Sequence, residues 1–267
     1  MANDAYILKH YQKVAINYGK RPESTIQDPK IRELEVDFFL SSIESFIAKK
    51  GFMPKIADLG CGNGHLLSKI SKHFPKCKIY GLEFTPELFK IARERDLPNC
   101  QIELGDIRLE LFSGEKFDII ITERVIINLL SWKKQAKALH NIIDSLNQGG
   151  LYLMSESFRE PWVELNLARA EMQLDEIPQS KHNRYLAEAV IPYLAKHGLT
   201  EILGTRQKNE LSTHFYISRV LHQMIAPPGS RGKTSRFSDF FNQALPTACG
   251  NFSPILFRTL QKKVLIT

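Results

Sequence analysis

The sequence predicts an α/β protein built on a mostly parallel sheet with helices on both faces. Between residues 55 and 155, short apolar segments alternate with segments of helical periodicity, which is typical of repeated strand–helix units. The first apolar segment, 55–59, runs directly into a turn that contains three glycines. Right-handed crossovers would place the carboxyl ends of these strands along one edge of the sheet, where such proteins bind their ligands.

Length and composition indicate a single globular domain. The chain has 267 residues, of which 43% are hydrophobic and 24% are charged. Its four cysteines show no CxxC spacing, so a zinc ribbon and a disulfide framework are disfavoured, and we expect no metal site. We see no signal peptide and no apolar run near the ~18 residues that cross a bilayer, so we predict a cytoplasmic protein without membrane insertion.

The individual elements follow from local patterns. Asp28 stands directly before Pro29, which is typical of an amino-terminal helix cap followed by a proline in the first turn. Predicted strands occupy 55–59, 77–82, 101–104, 117–122, 151–155, 199–205 and 255–260. Predicted helices fill much of 1–50 and then 65–73, 86–95, 132–146, 160–174, 185–197 and about 217–224, with the glycine pair at 149–150 expected to end the helix before it.

Charge is distributed unevenly along the chain. The formal net charge is +7, and from residue 200 onward nine Lys or Arg stand against three Asp or Glu. Such an excess is typical of a solvated basic face, and it would also attract an anionic small molecule.

The glycine-rich turn carries the clearest functional signal. Asp58 precedes Gly60, Gly62 and Gly64, and glycines let the backbone turn sharply and let a ligand lie close against it. A dinucleotide site would need a further glycine where His65 stands. The negative charge of Asp58 also opposes a pyrophosphate, so the turn favours a cationic or neutral ligand.

These residues resemble the first motif of the class I S-adenosylmethionine-dependent methyltransferases. The resemblance implies a Rossmann-like methyltransferase fold with a seven-stranded sheet and helical caps, and it implies S-adenosylmethionine as the cofactor. Acids after the second and third strands, and Asp118 at the start of the fourth, fit the same family. By this resemblance the cofactor contacts Asp58, Gly60, Cys61, Gly62 and Gly64, then Glu83 and Phe84 near the ribose, Asp106 and Ile107 at the adenine, and Arg124 at the methionine carboxylate.

Methyl transfer to an alcohol requires a group that accepts the proton of the alcohol. His182 is the first candidate because its ordinary pKa lies near neutrality and it stands in a polar loop. Glu156, at the end of the fifth strand, is the second candidate for a base or an acceptor contact, and Glu123 is expected to face the acceptor. The alternatives are ion pairs for Glu123 and Arg124 and a surface position for His182.

A looser resemblance links the chain to bacterial small-molecule and sugar methyltransferases. The residues that carry it are Thr122 to Leu129, Ser24, Asp28, Arg32, Glu35, His182, Asn183, Tyr185, Ile217 to Val220 and Phe252 to Pro254. It implies one methyltransferase domain over 1–267: a helical lid at 1–50, a cofactor-binding core at 51–156, and an acceptor cap with the last strands at 157–267. The expected acceptor is a hydroxyl of a small polar molecule such as a sugar or nucleotide sugar, whose pyrophosphate the loop 231–236 could hold.

The sequence fits three other functions less well. A nucleic-acid enzyme acting on RNA would suit the pI near 9.1, but residues 122–125 carry neither a Pro-Pro-Tyr turn nor a Pro-Cys nucleophile. A catalytically inactive methyltransferase-like binding subunit is disfavoured because Glu83 and Asp106 are both present. His65 disfavours a dehydrogenase. A homodimer is compatible with the sequence.

Overall fold

The computed structural model contains one seven-stranded sheet, as the sequence predicts. It describes residues 2–24, 26–202, 209–226 and 235–264, without the side chains of Ala2 and Asn3. The strands are β1 Lys55–Leu59, β2 Lys78–Glu83, β3 Cys100–Leu104, β4 Phe117–Glu123, β5 Leu146–Ser157, β6 Leu199–Glu201 and β7 Ile255–Lys262. They lie in the order β3-β2-β1-β4-β5-β7-β6. Only β7 runs antiparallel to its neighbours, which confirms a mostly parallel sheet.

Helices surround the sheet. They are α1 Ala2–Tyr18, α2 Pro29–Lys50, α3 His65–His73, α4 Pro86–Arg93, α5 Trp132–Ser145, α6 Arg159–Glu171, α7 Val190–Lys196, α8 Ser212–Tyr216, α9 His222–Ile225 and α10 Arg236–Ala244. A π-helical turn, Ile217–Leu221, joins α8 to α9. No helix in the described ranges is both long and apolar enough to cross a membrane.

Two hydrophobic layers sandwich the sheet, and strand alternation decides which residue enters which layer. In β4, Ile119 and Ile121 pack with α2 and α3 on one face. Ile120, between them, packs with α5 and α7 on the other face. Burial of both faces explains why the strands are nearly continuous runs of apolar residues.

Two elements end differently from the sequence prediction. The predicted helix 185–197 is observed only as α7, Val190–Lys196, because Leu186 pairs with the chain at the end of β5. The Leu186 N–H donates to the Ser157 carbonyl at 2.9 Å, and the Leu186 carbonyl accepts from the Arg159 N–H at 2.8 Å. The helix α5 ends at Ser145, and Gly149 and Gly150 lie inside β5, where the chain is tightly bent (φ of Gly149 +71°).

Some predictions fall partly outside the described residues. The predicted strand 199–205 is observed as β6 up to Glu201, and residues 203–208 are not described. The predicted phosphate-holding loop 231–236 is likewise outside the described residues up to residue 234.

The start of α2 confirms the cap predicted from the sequence. Asp28 accepts hydrogen bonds from the backbone N–H of Lys30 (3.1 Å) and Ile31 (3.5 Å). Its second oxygen binds His214 at 3.0 Å and Arg219 at 2.6 Å. The start of α2 is thereby joined to the carboxyl-terminal part of the chain through a buried charge cluster.

Candidate active site

The glycine turn after β1 lies at the carboxyl edge of the sheet. Gly60, Gly62 and Gly64 all have positive φ (+76°, +58° and +74°), a conformation that favours glycine. A Cβ on Gly60 would lie 2.5 Å from a methyl carbon of Val125, so the turn also lets the loop after β4 approach closely. The two loops together form the floor of a cavity.

That cavity has an empty volume of about 1000 Å³ when the open solvent at its mouth is included. The predicted residues Gly60, Gly62, Glu83, Phe84, Asp106, Ile107, Glu123, Arg124 and His182 all line it. Asp58 and Cys61 line a smaller adjoining cavity together with Gly60, Gly62 and Glu123. The structure therefore brings most of the predicted site residues to one place.

Glu83 is held rigidly at the end of β2. Its two carboxylate oxygens accept backbone N–H bonds from Gly62 and Thr85, each at 2.8 Å. Burial raises the pKa of Glu83, although these hydrogen bonds counteract it. Each oxygen keeps a second lone pair, so the carboxylate can still accept two hydrogen bonds from a diol.

Asp106 is paired with a neighbour. Arg108 donates to it from Nε at 2.9 and 3.0 Å, and also reaches Asp4 of α1 at 3.2 Å. Burial would raise the pKa of Asp106, but the hydrogen bonds and charge of Arg108 outweigh it, so the pKa lies below its usual value. The predicted adenine contact of Asp106 stays a prediction, and this ion pair links it to α1.

Glu123 and Arg124 belong to a buried ion network. Glu123 binds Arg32 of α2 and, at 2.8 Å, Arg124, which also binds Glu35. Burial would raise the pKa of Glu123, but the charges of Arg32 and Arg124 outweigh it and keep the pKa below its usual value. Glu123 is thus a poor proton acceptor, and Arg124 already has two carboxylate partners.

The surroundings of Asp58 shift its pKa in the opposite direction from that of Glu123. It is 2% exposed, and no hydrogen bond reaches its side chain within the described residues. Burial, together with the negative charges of Glu123 and Glu83, raises its pKa well above the usual value. A cationic ligand at this point would relieve that repulsion.

Glu156, expected as a second base, lies outside the cavity lining. It is fully buried and accepts backbone N–H bonds from Val125 (2.9 Å), Ile126 (3.0 Å) and Ile127 (3.3 Å). Burial raises its pKa to about 7. These contacts hold the one-turn helix Ile126–Asn128 in place, so the observed position of Glu156 is a structural one.

His182 lies in the cavity wall, stacked on His10 of α1 with ring centroids 3.9 Å apart. Its Nδ1 is 2.7 Å from the Ser180 hydroxyl. Burial and the neighbouring His10 lower its pKa to about 4, so the imidazole is neutral near pH 7. The near-neutral pKa expected from the sequence is therefore wrong, because the sequence does not show that this side chain is half-buried beside a second histidine.

The sequence predicts a helical lid at 1–50, but it does not single out the residues of α1 that line the cavity. These are Asp4, Ile7 and Tyr11, and Asn128 lines the cavity from the loop after β4. Positions 4, 7 and 11 share one face of a helix, and this face has a polar residue at each end. That pattern is the sequence feature that could have indicated a helix face directed at a ligand.

Comparison with known proteins supports the geometry. Residues 54–215, more than half of the chain, match the family model described as "Methyltransferase domain". Among curated relatives, a malonyl-[acyl-carrier protein] O-methyltransferase of Bacillus anthracis is 25% identical over 169 residues, covering 62% of this chain and 58% of that protein. The chain thus spans less than two thirds of the length of that relative.

Among solved structures, the N-methyltransferase NodS from Bradyrhizobium japonicum WM9, in complex with S-adenosyl-l-homocysteine, superposes with a TM-score of 0.58 at 15% identity, covering 96% of this chain and 98% of NodS. The magnesium protoporphyrin IX methyltransferase from Synechocystis PCC 6803 gives a TM-score of 0.56 at 11% identity, with 96% and 94% covered. At such identities the likeness shows a shared fold. Given the family match, the fold and the glycine turn with its facing acids, this chain belongs to the methyltransferase domain family and has the fold of the class I S-adenosylmethionine-dependent methyltransferases.

Proposed function

We propose that this enzyme transfers the methyl group of S-adenosylmethionine to a hydroxyl of a small polar acceptor such as a sugar or nucleotide sugar. The observation that carries the proposal is a cavity whose lining residues fall into two chemical groups, here called its two halves. The first half is the glycine turn with Glu83, which contacts the turn at Gly62, and Asp106. The second half is Tyr11, Asn128 and His182, which are neutral polar groups, and Tyr11 contacts both of the others.

The first half fits the cofactor. Glu83 would hold the ribose hydroxyls, and Phe84 and Ile107 would flank the base. Asp58, unpaired within the described residues, favours the positive charge that a sulfonium brings. S-adenosylmethionine supplies an electrophilic methyl group when bound. The chain's own contribution is to orient the acceptor and exclude water, and orientation of this kind can remove ~7–11 kcal/mol of a barrier.

His182 is the proposed proton acceptor. The hydroxyl oxygen must lose its proton as it forms the new bond, and a neutral imidazole in the cavity wall can take that proton. With a pKa of about 4 the imidazole is a weak base, so it accepts the proton only as the new oxygen–methyl bond forms and makes the hydroxyl strongly acidic. The imidazolium then releases the proton readily to solvent.

A carboxylate acceptor is the second candidate, because one relative is named malonyl-[acyl-carrier protein] O-methyltransferase. A malonyl group ends in a carboxylate, which is the oxygen group such a name points to. A carboxylate carries no proton that must be removed, so such an enzyme would have no use for a base. Nucleic-acid methylation has less support, because four acidic residues line the cavity and its two lining arginines, Arg108 and Arg124, are paired with carboxylates.

The proposal is tested by incubating the enzyme with labelled S-adenosylmethionine and pooled metabolites that include sugars and nucleotide sugars, followed by mass spectrometry. We expect a methyl ether stable to mild alkali. In His182→Ala, turnover should fall by about 10²-fold or more while cofactor affinity is unchanged, and the exposed His73→Ala serves as control. An alkali-labile methyl ester as product, or full turnover in His182→Ala, would contradict it.

A further inference from the structure

Three carboxyl groups share one face of the sheet near the carboxyl ends of neighbouring strands. Asp58 of β1 pairs in register with Gly81 of β2 and with Ile121 of β4. Glu83 and Glu123 stand two residues beyond these partners, and residues two positions apart in a strand share a face. The negative charges of Glu83 and Glu123 therefore both act on Asp58.

The two glutamates have donors that stabilise a negative charge, whereas Asp58 has none among the described residues. Glu83 accepts two backbone N–H bonds, and Glu123 binds the guanidinium groups of Arg32 and Arg124. Asp58 is 2% exposed, and in the described part of the chain no hydrogen bond or ion pair reaches its side chain. Hydrogen bonds and opposite charges favour the ionised form of a carboxyl group, while burial and like charges favour the protonated form. Of the three groups, Asp58 is therefore the one that holds a proton most tightly.

The other titratable groups around Asp58 do not supply a positive charge to it. Arg32 of α2 lines the same small cavity, but its guanidinium group is already paired with a carboxylate. His65 of α3 also lines that cavity, and burial lowers its pKa to about 4, so the imidazole is neutral near pH 7. Burial raises the pKa of the thiols of Cys61, in the glycine turn, and Cys100, on β3, so both are uncharged.

A ligand on the glycine turn can reach Asp58. Asp58 lines the small cavity together with Gly60 and Gly62, and these two glycines also line the main cavity. A cation in contact with a buried carboxyl group favours its ionised form. The cofactor of the proposed function has an ammonium group and, before methyl transfer, a sulfonium. It also carries a carboxylate, which acts in the opposite direction, so ionisation of Asp58 requires that a cation lie nearer to it than that carboxylate.

From these observations we propose that Asp58 carries a proton when no cofactor is bound and releases it when a positively charged group of the cofactor binds beside it. The O–H bond of the carboxyl group breaks, the proton passes to solvent, and the carboxylate pairs with the cation. This inference rests on the cofactor of the proposed function and adds a proton-linked step to its binding. Because a proton leaves, cofactor affinity rises with pH, by up to about tenfold per pH unit while Asp58 of the free enzyme is protonated.

The test is calorimetry of binding at about pH 6 in buffers that differ in their enthalpy of ionisation, which counts the protons released. We expect the wild-type enzyme to release about one proton per bound S-adenosylmethionine. S-adenosylhomocysteine carries only the ammonium, and methylthioadenosine carries neither cation. Release with both S-adenosyl compounds would support the inference and identify the ammonium as the partner of Asp58. Release with S-adenosylmethionine alone would support it with the sulfonium as the partner, and methylthioadenosine should release no proton.

Variants assign the proton to one side chain. Asp58→Asn should bind the S-adenosyl compounds more weakly, without proton release and with an affinity that stays constant between about pH 6 and about pH 8. His65→Gln is the matched control, because His65 lines the same small cavity but is already neutral in this range, so this variant should release as many protons as the wild type. Infrared difference spectra give an independent readout: on binding, the wild type should lose the band of a protonated carboxyl group, and Asp58→Asn should show no such loss.

Binding of both S-adenosyl compounds by the wild type without proton release would overturn the inference. Equal proton release by the wild type and Asp58→Asn would also overturn it, as would release with methylthioadenosine. If Asp58→Asn binds too weakly for calorimetry, the proton count and the infrared spectrum of the wild type still decide. Failure of the wild type to bind any of the three compounds would instead refute the proposed function itself.

Discussion

Two glycines with the same backbone conformation have very different surroundings in this enzyme. Gly60 has φ +76° and Gly51, at the end of α2, has φ +75°. A Cβ on Gly51 would meet nothing within 4 Å, whereas one on Gly60 would overlap Val125. The pair therefore separates the cost of the left-handed conformation from the cost of filling the space between the β1 and β4 loops.

We expect Gly51→Ala to lower the free energy of unfolding by about 1–2 kcal/mol, the cost of a left-handed alanine, with cofactor affinity unchanged. Gly60→Ala should cost about 1–3 kcal/mol more, because Val125 must move, and should weaken cofactor binding by at least about tenfold. Denaturant titration and calorimetry with S-adenosylhomocysteine measure the two effects. Equal behaviour of the two variants would mean that the close approach at Gly60 has no role in shaping the cavity.

At the scale of elements, α2 is fixed at its start by more than a helix cap. Burial alone would raise the pKa of Asp28, but the hydrogen bond from His214 and the charge of Arg219 outweigh it and hold the pKa well below its usual range. Farther along α2, Arg32 and Glu35 enter the ion network around Glu123 and Arg124. A single helix thus connects the carboxyl-terminal helices to the cavity wall.

Removing Asp28 should therefore cost more than removing an ordinary cap. Asp28→Ala leaves a buried Arg219 without its carboxylate, and we expect a loss of about 3–5 kcal/mol in the free energy of unfolding. Ser131 caps α5 by accepting from the Lys134 N–H and has no ionic partner in that role, so Ser131→Ala should cost only about 1 kcal/mol. If urea denaturation gave the two variants similar losses, the charge cluster would contribute little to the docking of α2.

The sequence predicts the strands of the core well, because alternation and apolar runs are local signals. It fails where tertiary contacts decide the structure. Leu186 is drawn out of a helical pattern by pairing next to β5, and Glu156 is satisfied by backbone groups about 30 residues away. The Tyr11–Asn128 contact joins residues 117 positions apart, and no local pattern specifies such a pair. The sequence therefore predicts which residues stand at the strand ends, whereas the groups that these residues contact are known only from the three-dimensional structure.

At the scale of the whole molecule, the pH dependence of stability is a sum of opposing contributions. Burial lowers the pKa of His65 and of His182 to about 4, so an unfolded chain binds more protons at these positions below pH 6.5. Burial raises the pKa of Glu83 and Glu156, so these groups bind protons more tightly in the folded state. The histidines make the fold less stable as pH falls, and the carboxyl groups make it less stable as pH rises.

Because these contributions overlap between pH 4 and 7, only a difference between variants isolates one of them. Relative to His182→Gln, whose side chain stays neutral, the wild type should lose stability as pH falls from 6.5 toward 4, the interval between the unfolded and folded pKa of His182. Relative to His65→Gln, the wild type should likewise lose stability as pH falls over this interval, because burial lowers the pKa of His65 to about 4 as well. Above pH 7 both differences should become constant, since the imidazoles are neutral in both states. Denaturation midpoints measured at about pH 7.5, about pH 6.0 and about pH 5.0 test this, because the first value lies above the window and the other two lie within it. If the difference for His182 did not change with pH, α1 would not bury this imidazole in solution, and the stacked contact between His182 and His10 would be absent.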